Sequence, residues 1–152
     1  MKNTKMKLIT SSLIVLGALL IVSAPRQASA QQHPHYLHAI ADLHAAHAQL
    51  VAPFQNPAHI QAAREVMDEI DHAINDLKFA AAADGKNGNV PVPPDAGLPP
   101  IGRLHACLDY LDKAHADVSG IETDPAAINS QAAAIKRIDR ARNVLKFAIN
   151  GQ

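Results

Sequence analysis

The sequence has few of the residues on which disulfide bonds, haem attachment and aromatic pockets depend. Its 152 residues include one cysteine, no tryptophan, two tyrosines and three phenylalanines. A single cysteine, Cys107, excludes a disulfide within the chain, and the missing Cys-x-x-Cys-His motif excludes c-type haem attachment. With so few aromatic side chains we expect no sizeable pocket for an apolar ligand. We interpret Cys107 as a small, buried packing residue.

The local signatures of common enzyme sites are also missing from the sequence. There is no G-x-S-x-G nucleophile elbow and no glycine-rich phosphate loop. No pair of carboxylates is predicted on the buried side of a helix. We therefore expect a protein that is not an enzyme.

The first 30 residues are typical of a secretory signal peptide. Three lysines precede the apolar stretch LITSSLIVLGALLIVSA, and Ala28-Ser29-Ala30 is a small-x-small cleavage site. The alternative is a retained membrane anchor, because the apolar stretch is fairly long. We expect cleavage after Ala30, which leaves residues 31–152 as a periplasmic or extracellular protein with no stable membrane insertion.

The mature chain is acidic. The signal segment holds four of the 14 basic residues and none of the 14 acidic ones, which leaves a net charge of about −4 on residues 31–152. Binding to a nucleic-acid backbone needs a basic patch. We therefore expect no nucleic-acid partner.

An internal repeat with an offset of 68 residues organises the chain. The segment IDHAINDLKFA at 70–80 aligns with IDRARNVLKFA at 138–148, with eight identities in eleven positions. Residues 36–81 align with residues 104–149 without a gap, with 15 identities in 46 positions. This exceeds chance for an alanine-rich chain, and we interpret the repeat as a duplication.

Each repeat has the pattern of two helices joined by a turn. A 4-3-4-3-4 spacing, typical of the buried side of an amphipathic helix, relates Tyr36, Ile40, Leu43, His47, Leu50 and Phe54. The second helices are predicted to begin at Asn56-Pro57 and Asp124-Pro125. Each dipeptide places an N-cap residue before a proline at the first helical position, where its missing N–H costs no hydrogen bond.

These patterns predict an all-α, single-domain fold. We expect hairpin one at 36–84, a proline-rich linker at 85–102 and hairpin two at 103–150, with turns at 52–56 and 120–124. The predicted architecture is an antiparallel, up-down-up-down four-helix bundle. In this arrangement the first and third helices are diagonal, and a two-fold pseudo-axis runs along the bundle. The linker is expected as an extended strap packed along it.

The nine histidines are the candidate ligands for a metal or haem. At about 100° per residue, four of them point towards the predicted core: His44, His47, His59 and His115. His47, His59 and His115 are also predicted at one end of the bundle, where three imidazoles and an open fourth position suit zinc or copper. His47 and His115 alone suit the axial positions of a b-type haem.

A second interpretation of these histidines needs no ligand. They are then half-buried side chains bonded to turn carbonyls, since no His-x-x-x-His or Glu-x-x-His motif is present. His33, His35 and His38 are terminal or outward-facing, and we do not predict them as ligands. The leading expectation is therefore no cofactor, with zinc or copper as the alternative.

Phe79 and Phe147 are repeat mates that point about 180° away from the predicted core. An exposed phenylalanine at the same position of both repeats is expected to be buried against other residues or a partner. The strap, the HPHY segment at 33–36 or a partner chain can cover it. We therefore expect a protein partner or a homo-oligomer to contact these two residues.

Two further features of the second helices are polar. Three residues recur on one flank, and we interpret them as a hydrogen-bonded surface stripe: Asp71, Asn75 and Lys78, with their mates Asp139, Asn143 and Lys146. Arg142 stands on the buried side, where repeat one has Ile74. Because a buried unpaired guanidinium is very costly, we expect either that the fourth helix is rotated slightly or that Arg142 reaches the bundle end and pairs with an acid such as Asp109.

Three motifs resemble those of a known group of proteins. HPHYLHA at 33–39, VPPDAGL at 92–98 and RLHA at 103–106 resemble a family of small exported bacterial helical-bundle proteins of unknown function. The resemblance covers the whole mature chain and implies export and a helical bundle. It implies no catalytic or binding residues.

The expected function follows from these features. We expect an exported, non-enzymatic helical-bundle protein with a binding or structural role. The alternative is a periplasmic bundle that binds zinc, copper or a b-type haem.

Overall fold

The computed structural model describes residues 34–83, 85–86, 88–89 and 97–151. They form four helices: α1 (Tyr36–Val51), α2 (Pro57–Ala83), α3 (Pro100–Val118) and α4 (Pro125–Asn150). No strand occurs in these ranges, so the all-α prediction is confirmed for them. The predicted signal peptide, His33 and the middle of the linker lie outside the described residues.

The helices begin where the sequence places their caps. The Ala58 N–H donates to Asn56 Oδ1 at 2.9 Å, and the Ala126 N–H donates to Asp124 Oδ1 at 2.9 Å. Each cap satisfies an N–H group that has no partner within the helix. Helix α3 begins at Pro100, three residues earlier than predicted, because a proline is well accommodated in the first turn of a helix.

The core consists of the apolar sides of all four helices. Its largest buried side chains include Ile40 and Leu43 in α1, Ile70 in α2, Leu111 in α3 and Ile138 in α4. Ile40 and Leu43 lie on the buried side that the sequence predicts for the first helix. Burial of the core side chains supplies the main favourable contribution to folding, because the hydrophobic effect scales with the apolar area removed from water.

Helices α1 and α3 lie side by side and run in opposite directions. Arg103, in the first turn of α3, donates hydrogen bonds to three carbonyl groups at the end of α1. At the other end of the pair, the His35 N–H donates to the Asp117 carbonyl at 3.0 Å. The beginning of each helix therefore meets the end of the other.

Helices α2 and α4 form a second antiparallel pair. Ala58 at the start of α2 and Gly151 just beyond α4 line the same groove. Helix α1 contacts α2 and α3 but not α4, and α2 does not contact α3. The predicted up-down-up-down order is therefore wrong, because α1 and α3 are antiparallel neighbours and not diagonal. The pseudo-axis that relates the hairpins crosses the helices and does not run along them.

The long linker makes this arrangement possible. Helix α2 returns along α1, so it ends at the side where α1 begins, whereas α3 begins where α1 ends. Ala83 and Pro100 therefore lie about the length of α3 apart, about 28 Å at 1.5 Å per residue, and 16 residues connect them. An extended segment of this size reaches about 50 Å. Gly88 already lies against α2, since a Cβ built there would stand 2.8 Å from Lys78 Cγ.

The turn between α1 and α2 is stabilised by Arg103. Arg103 is 4 % exposed, and its guanidinium donates to the carbonyl oxygens of Gln49 at 3.2 Å, Ala52 at 2.7 Å and Pro53 at 3.1 Å. It also stacks over the Phe54 ring, 4.2 Å from the centroid. One buried cation thus satisfies a carbonyl in the last turn of α1 and the two carbonyls of Ala52 and Pro53 that follow it.

The turn between α3 and α4 is stabilised by different residues. Gln131 Nε2 donates to the carbonyls of Val118 and Gly120, both at 2.7 Å. The buried hydroxyl of Tyr36 donates to Glu122, whose other oxygen accepts from backbone N–H groups of the turn. The two repeats therefore share helix positions but not the chemistry of their turns.

Candidate functional site: the outer face of helices α2 and α4

The structure does not bring His47, His59 and His115 together. His59 lies beside the Phe54 ring near the end of α1. His115 is near the end of α3, and this end of α3 contacts His35 at the start of α1. His47 lies about 18 Å further along α1 from His35. The predicted convergence is wrong because α3 runs opposite to α1, and the predicted axial haem pair fails for the same reason. In the described ranges, no three His, Cys, Asp or Glu side chains form a group that could hold a metal ion.

The remaining histidines are spread over the surface. His35, His38, His72 and His105 are exposed, and His44 is half-buried. Burial lowers the pKa of His44, and the positive charge of Lys78 lowers it further. His44 is therefore favoured in its neutral form.

His47 and His115 instead make equivalent contacts with aspartates. His47 Nε2 lies 3.7 Å from Asp71 Oδ1, and His115 Nε2 lies 3.3 Å from Asp139 Oδ1. All four residues are related by the 68-residue offset. Each contact links the two helices of one hairpin, so both aspartates of the predicted surface stripe contact a histidine of the neighbouring helix. The groups are partly exposed, and such pairs contribute at most about 1 kcal/mol.

The contact at His115 belongs to a larger polar cluster. Ser119 Oγ lies 3.2 Å from His115 Nδ1, so a serine, a histidine and an aspartate contact one another in a row. The Ser119 hydroxyl, however, donates to the His115 carbonyl at 2.6 Å. The hydroxyl proton is therefore bonded to the His115 carbonyl oxygen, and the imidazole does not accept it. The cluster therefore closes the helix end and does not activate a nucleophile.

Arg142 is paired, as predicted, but with other acids than Asp109. Its guanidinium donates to Asp112 Oδ1 at 2.6 Å and to Asp139 Oδ1 at 2.8 Å. Burial alone lowers the pKa of Arg142, but these two carboxylates outweigh it and raise the pKa above its ordinary value. Arg142 therefore remains charged between α3 and α4.

The surface of α2 and α4 that faces away from α1 and α3 carries two stripes of side chains, all exposed except the half-buried Ala133. We call this surface the outer face. The stripe on α2 consists of Gln61, Glu65, Asp68, His72, Asn75 and Phe79, and the stripe on α4 consists of their repeat mates Asn129, Ala133, Lys136, Arg140, Asn143 and Phe147. Both stripes have 4-3-4-3-4 spacing, which keeps their members on one side of a helix.

Phe79 and Phe147 are the most exposed aromatic groups of the outer face. Phe79 is 72 % exposed and Phe147 is 81 % exposed, so the prediction that both point away from the core is confirmed. Neither ring is covered by other residues that the structure describes. Because α2 and α4 are antiparallel, the two rings lie near opposite ends of the face.

A groove on the outer face lies next to Phe147. Its volume is about 540 Å³, and its lining includes Ala58 and Ala62 of α2 and Val144, Phe147 and Ala148 of α4. The small alanine side chains leave the space, and the phenylalanine ring forms one wall. The sequence predicted no sizeable apolar pocket, and what the structure has is an open groove between two helices.

The centre of the outer face is held by a charged cluster. Glu69 accepts hydrogen bonds from Arg140 at 2.7 Å and Arg137 at 3.2 Å, and Arg137 also donates to Asp76. Burial raises the pKa of Glu69, but the hydrogen bonds from Arg140 and Arg137 outweigh burial and lower the pKa below its ordinary value. The cluster joins acidic α2 to basic α4.

This cluster was not predicted from the sequence, although the repeat contains a signal for it. Glu69 and Arg137 are repeat mates of opposite charge, and they pair with each other. Repeat mates can meet only close to the pseudo-axis that relates the repeats. A charge reversal between mates beside the buried Ile70 and Ile138 therefore indicates where that axis crosses the molecule.

Replacing Glu69 with glutamine is expected to lower the free energy of unfolding by about 1–2 kcal/mol near neutral pH, because charge-assisted hydrogen bonds to partly exposed arginines are lost. The folded-state pKa of Glu69 is lowered, so this stabilisation is present above the ordinary pKa of 4.5 and is lost as pH falls through the folded-state value. Urea unfolding of both proteins should therefore show a difference that shrinks in acid. Asp109→Asn is the matched control, and an equal loss for both variants would contradict the assignment.

Comparisons with protein-family models, curated proteins and solved structures found no match. No helix in the described part of the chain is both long and apolar enough to cross a membrane. Any functional conclusion therefore rests on the residues and geometry of this chain.

Proposed function

We propose that the protein is an exported, non-enzymatic helical-bundle protein that binds a protein partner through the outer face. The exposure of Phe79 and Phe147, at equivalent positions of two repeats and on one face, carries the proposal. Aromatic side chains and arginine are enriched at protein interfaces, where burial of a ring is favourable. The groove beside Phe147 adds an apolar recess to that face.

Several structural features recur in both repeats, and this recurrence supports a functional role for the outer face. The matching N-caps at Asn56 and Asp124, the matching histidine–aspartate contacts and the matching phenylalanines all follow the 68-residue offset. We propose that duplication of one hairpin produced the chain. Antiparallel packing of α2 on its duplicate α4 then gave one face with a phenylalanine at each end.

Two observations support a non-enzymatic role for the described residues. The Ser119 hydroxyl donates to the His115 carbonyl, so the one serine–histidine–aspartate alignment described above lacks an available nucleophile. Cys107 is fully buried, and burial raises the pKa of its thiol, which disfavours the reactive thiolate. The proposal requires no cofactor.

Export is expected to remove residues 1–30. Mass spectrometry of the protein from the periplasm or medium should find Gln31 at the N-terminus, because the Ala28-Ser29-Ala30 site suits signal peptidase. Recovery of the chain from membranes with Met1 still attached would show that the segment is retained as an anchor.

A site-specific cross-linking experiment tests the proposed binding face. A photoreactive phenylalanine analogue is placed at position 79 or 147 in the exported protein, and the cells are irradiated. The matched control is position 51, because Val51 is 65 % exposed but lies on α1 and belongs to neither stripe of the outer face. The expected result is a discrete covalent adduct from positions 79 and 147 and none from position 51.

The same experiment has a clear negative result. If positions 79 and 147 give no adduct, or no more than position 51, the outer face does not bind a partner in the exported compartment. The mass of any adduct also shows whether the partner is another protein or a second copy.

A further inference from the structure

We infer that the partner on the outer face is a second copy of this chain, related to the first by a two-fold axis parallel to α2 and α4. This inference rests on the proposed function, because it names the occupant of the same face. It follows from the distribution of charge, from the register of the two stripes and from the size of the face.

Charge on the outer face is separated between the two helices. The α2 stripe carries Glu65 and Asp68, and the α4 stripe carries Lys136 and Arg140, all four exposed. A two-fold axis parallel to the helices places α2 of one copy against α4 of the other, twice. Each acidic stripe then meets a basic stripe, and opposite potentials attract.

The register follows from contacts within one copy. Gln61 and Glu65 line the same groove as Asn143 and Phe147, so these residues lie at the same level along the helices. A two-fold axis parallel to the helices preserves that level. Gln61 of one copy therefore lies opposite Phe147 of the other, and Phe147 covers the other copy's groove.

The same register places five further pairs of stripe residues opposite each other, including Glu65 with Asn143 and His72 with Lys136. Asp68 of one copy lies opposite Arg140 of the other, and Asn75 lies opposite Ala133. Phe79 lies opposite Asn129 at the start of the other copy's α4. Both phenylalanines of each copy are thus covered, which is what their exposure in the single chain requires.

A second two-fold axis could relate two copies through the same face. This axis lies in the plane of the interface and is perpendicular to α2 and α4. It places α4 against α4 and brings Lys136 of one copy opposite Arg140 of the other. Like charges in direct opposition are unfavourable. Charge therefore selects the parallel axis.

The outer face is large enough for a stable dimer. Helices of 27 and 26 residues are about 40 Å long at 1.5 Å per residue. Two neighbouring helices 8–10 Å apart present a width of about 20 Å with their side chains, so each copy offers on the order of 800 Å². This is about the area per partner in a standard specific interface.

Sedimentation equilibrium of the mature chain tests the self-association. The parent protein is expected to form a dimer that weakens as salt is raised, because part of the attraction is electrostatic. Phe147→Asp is expected to raise the dimer Kd about tenfold or more. Ile121→Asp is the control, since Ile121 is 79 % exposed but lies in the turn between α3 and α4, and its Kd should change less than about twofold. A parent chain that stays monomeric to millimolar concentration overturns the inference.

Disulfide cross-linking between two single-cysteine additions tests the axis. An Asn75→Cys variant mixed with an Ala133→Cys variant is expected to form a mixed disulfide between copies. The perpendicular axis instead predicts a mixed disulfide between an Ala133→Cys variant and an Asn143→Cys variant. Preference for the second pair overturns the proposed dimer.

Failure of the inference can be separated from failure of the proposed function. A monomeric chain whose positions 79 and 147 still cross-link to a different protein refutes the dimer but supports the binding face. A monomeric chain without such adducts refutes both.

Discussion

Replacing Arg103 with alanine is expected to lower the free energy of unfolding by about 3–4 kcal/mol. The substitution removes three hydrogen bonds to the carbonyls of Gln49, Ala52 and Pro53 and the stacking over Phe54. Those acceptors are at the end of α1, and water that would replace the guanidinium must enter a buried site. Urea unfolding followed by circular dichroism measures the loss.

Two further variants test the assignment of Arg103. Arg103→Lys is expected to recover only part of the loss, because an ammonium group cannot reproduce the planar fork of a guanidinium. Arg64→Ala removes an exposed arginine of α2 and should change stability by less than about 0.5 kcal/mol. An Arg103→Ala variant as stable as Arg64→Ala would mean that this arginine does not hold the turn.

Replacing Ile70 with alanine is expected to lower the free energy of unfolding by about 3 kcal/mol, because it leaves a cavity in the core. Ile138→Ala should have a similar effect, since Ile138 is the repeat mate of Ile70 and both are buried. The same urea experiment measures both losses.

Ile121→Ala is the matched control for the two core substitutions. Ile121 is largely exposed, so its truncation should change stability by less than about 0.5 kcal/mol. A small loss at Ile70 or Ile138, comparable with that at Ile121, would contradict the assignment of the α2 and α4 cores.

The helices could be predicted from the sequence because their signals are local. Asn56-Pro57 and Asp124-Pro125 carry both a cap and a proline with the required backbone angle, and the helices begin there. The 4-3-4-3-4 spacing predicted which sides are buried, and Ile40 and Leu43 are indeed in the core. Each of these features depends on residues within a few positions of one another.

The order of the helices could not be predicted in the same way. The buried side of a helix indicates that the helix packs against others. It does not indicate which helices these are or in which direction they run. The linker at 85–102 is long enough for either arrangement of the hairpins. The Glu69–Arg137 contact between repeat mates was an informative feature, because repeat mates can meet only beside the pseudo-axis that relates the two repeats.

The predicted histidine site failed with the predicted topology. His47 and His115 are equivalent residues, and parallel first and third helices would have placed them at one level. In the antiparallel pair they lie near opposite ends, each beside its own aspartate. Arg103 could not be predicted either, because its repeat mate is His35 and its three acceptors become neighbours only when α3 packs on the end of α1.

The central claim is that α2 and α4 are antiparallel neighbours that form one outer face. Distances between two nitroxide labels test it, with labelled protein diluted in unlabelled protein so that only distances within one chain are measured. Cys107 can stay in place, because it is buried and the pKa of its thiol is raised.

The two label pairs are positions 61 and 143 and positions 61 and 129. Gln61 and Asn143 line one groove, so their labels should be about 15–20 Å apart. Asn129 is 14 residues from Asn143, about 21 Å along α4, so the second distance should be longer, about 25–30 Å. A 61–129 distance shorter than the 61–143 distance would mean that α2 and α4 run parallel, and the outer face described here would not exist.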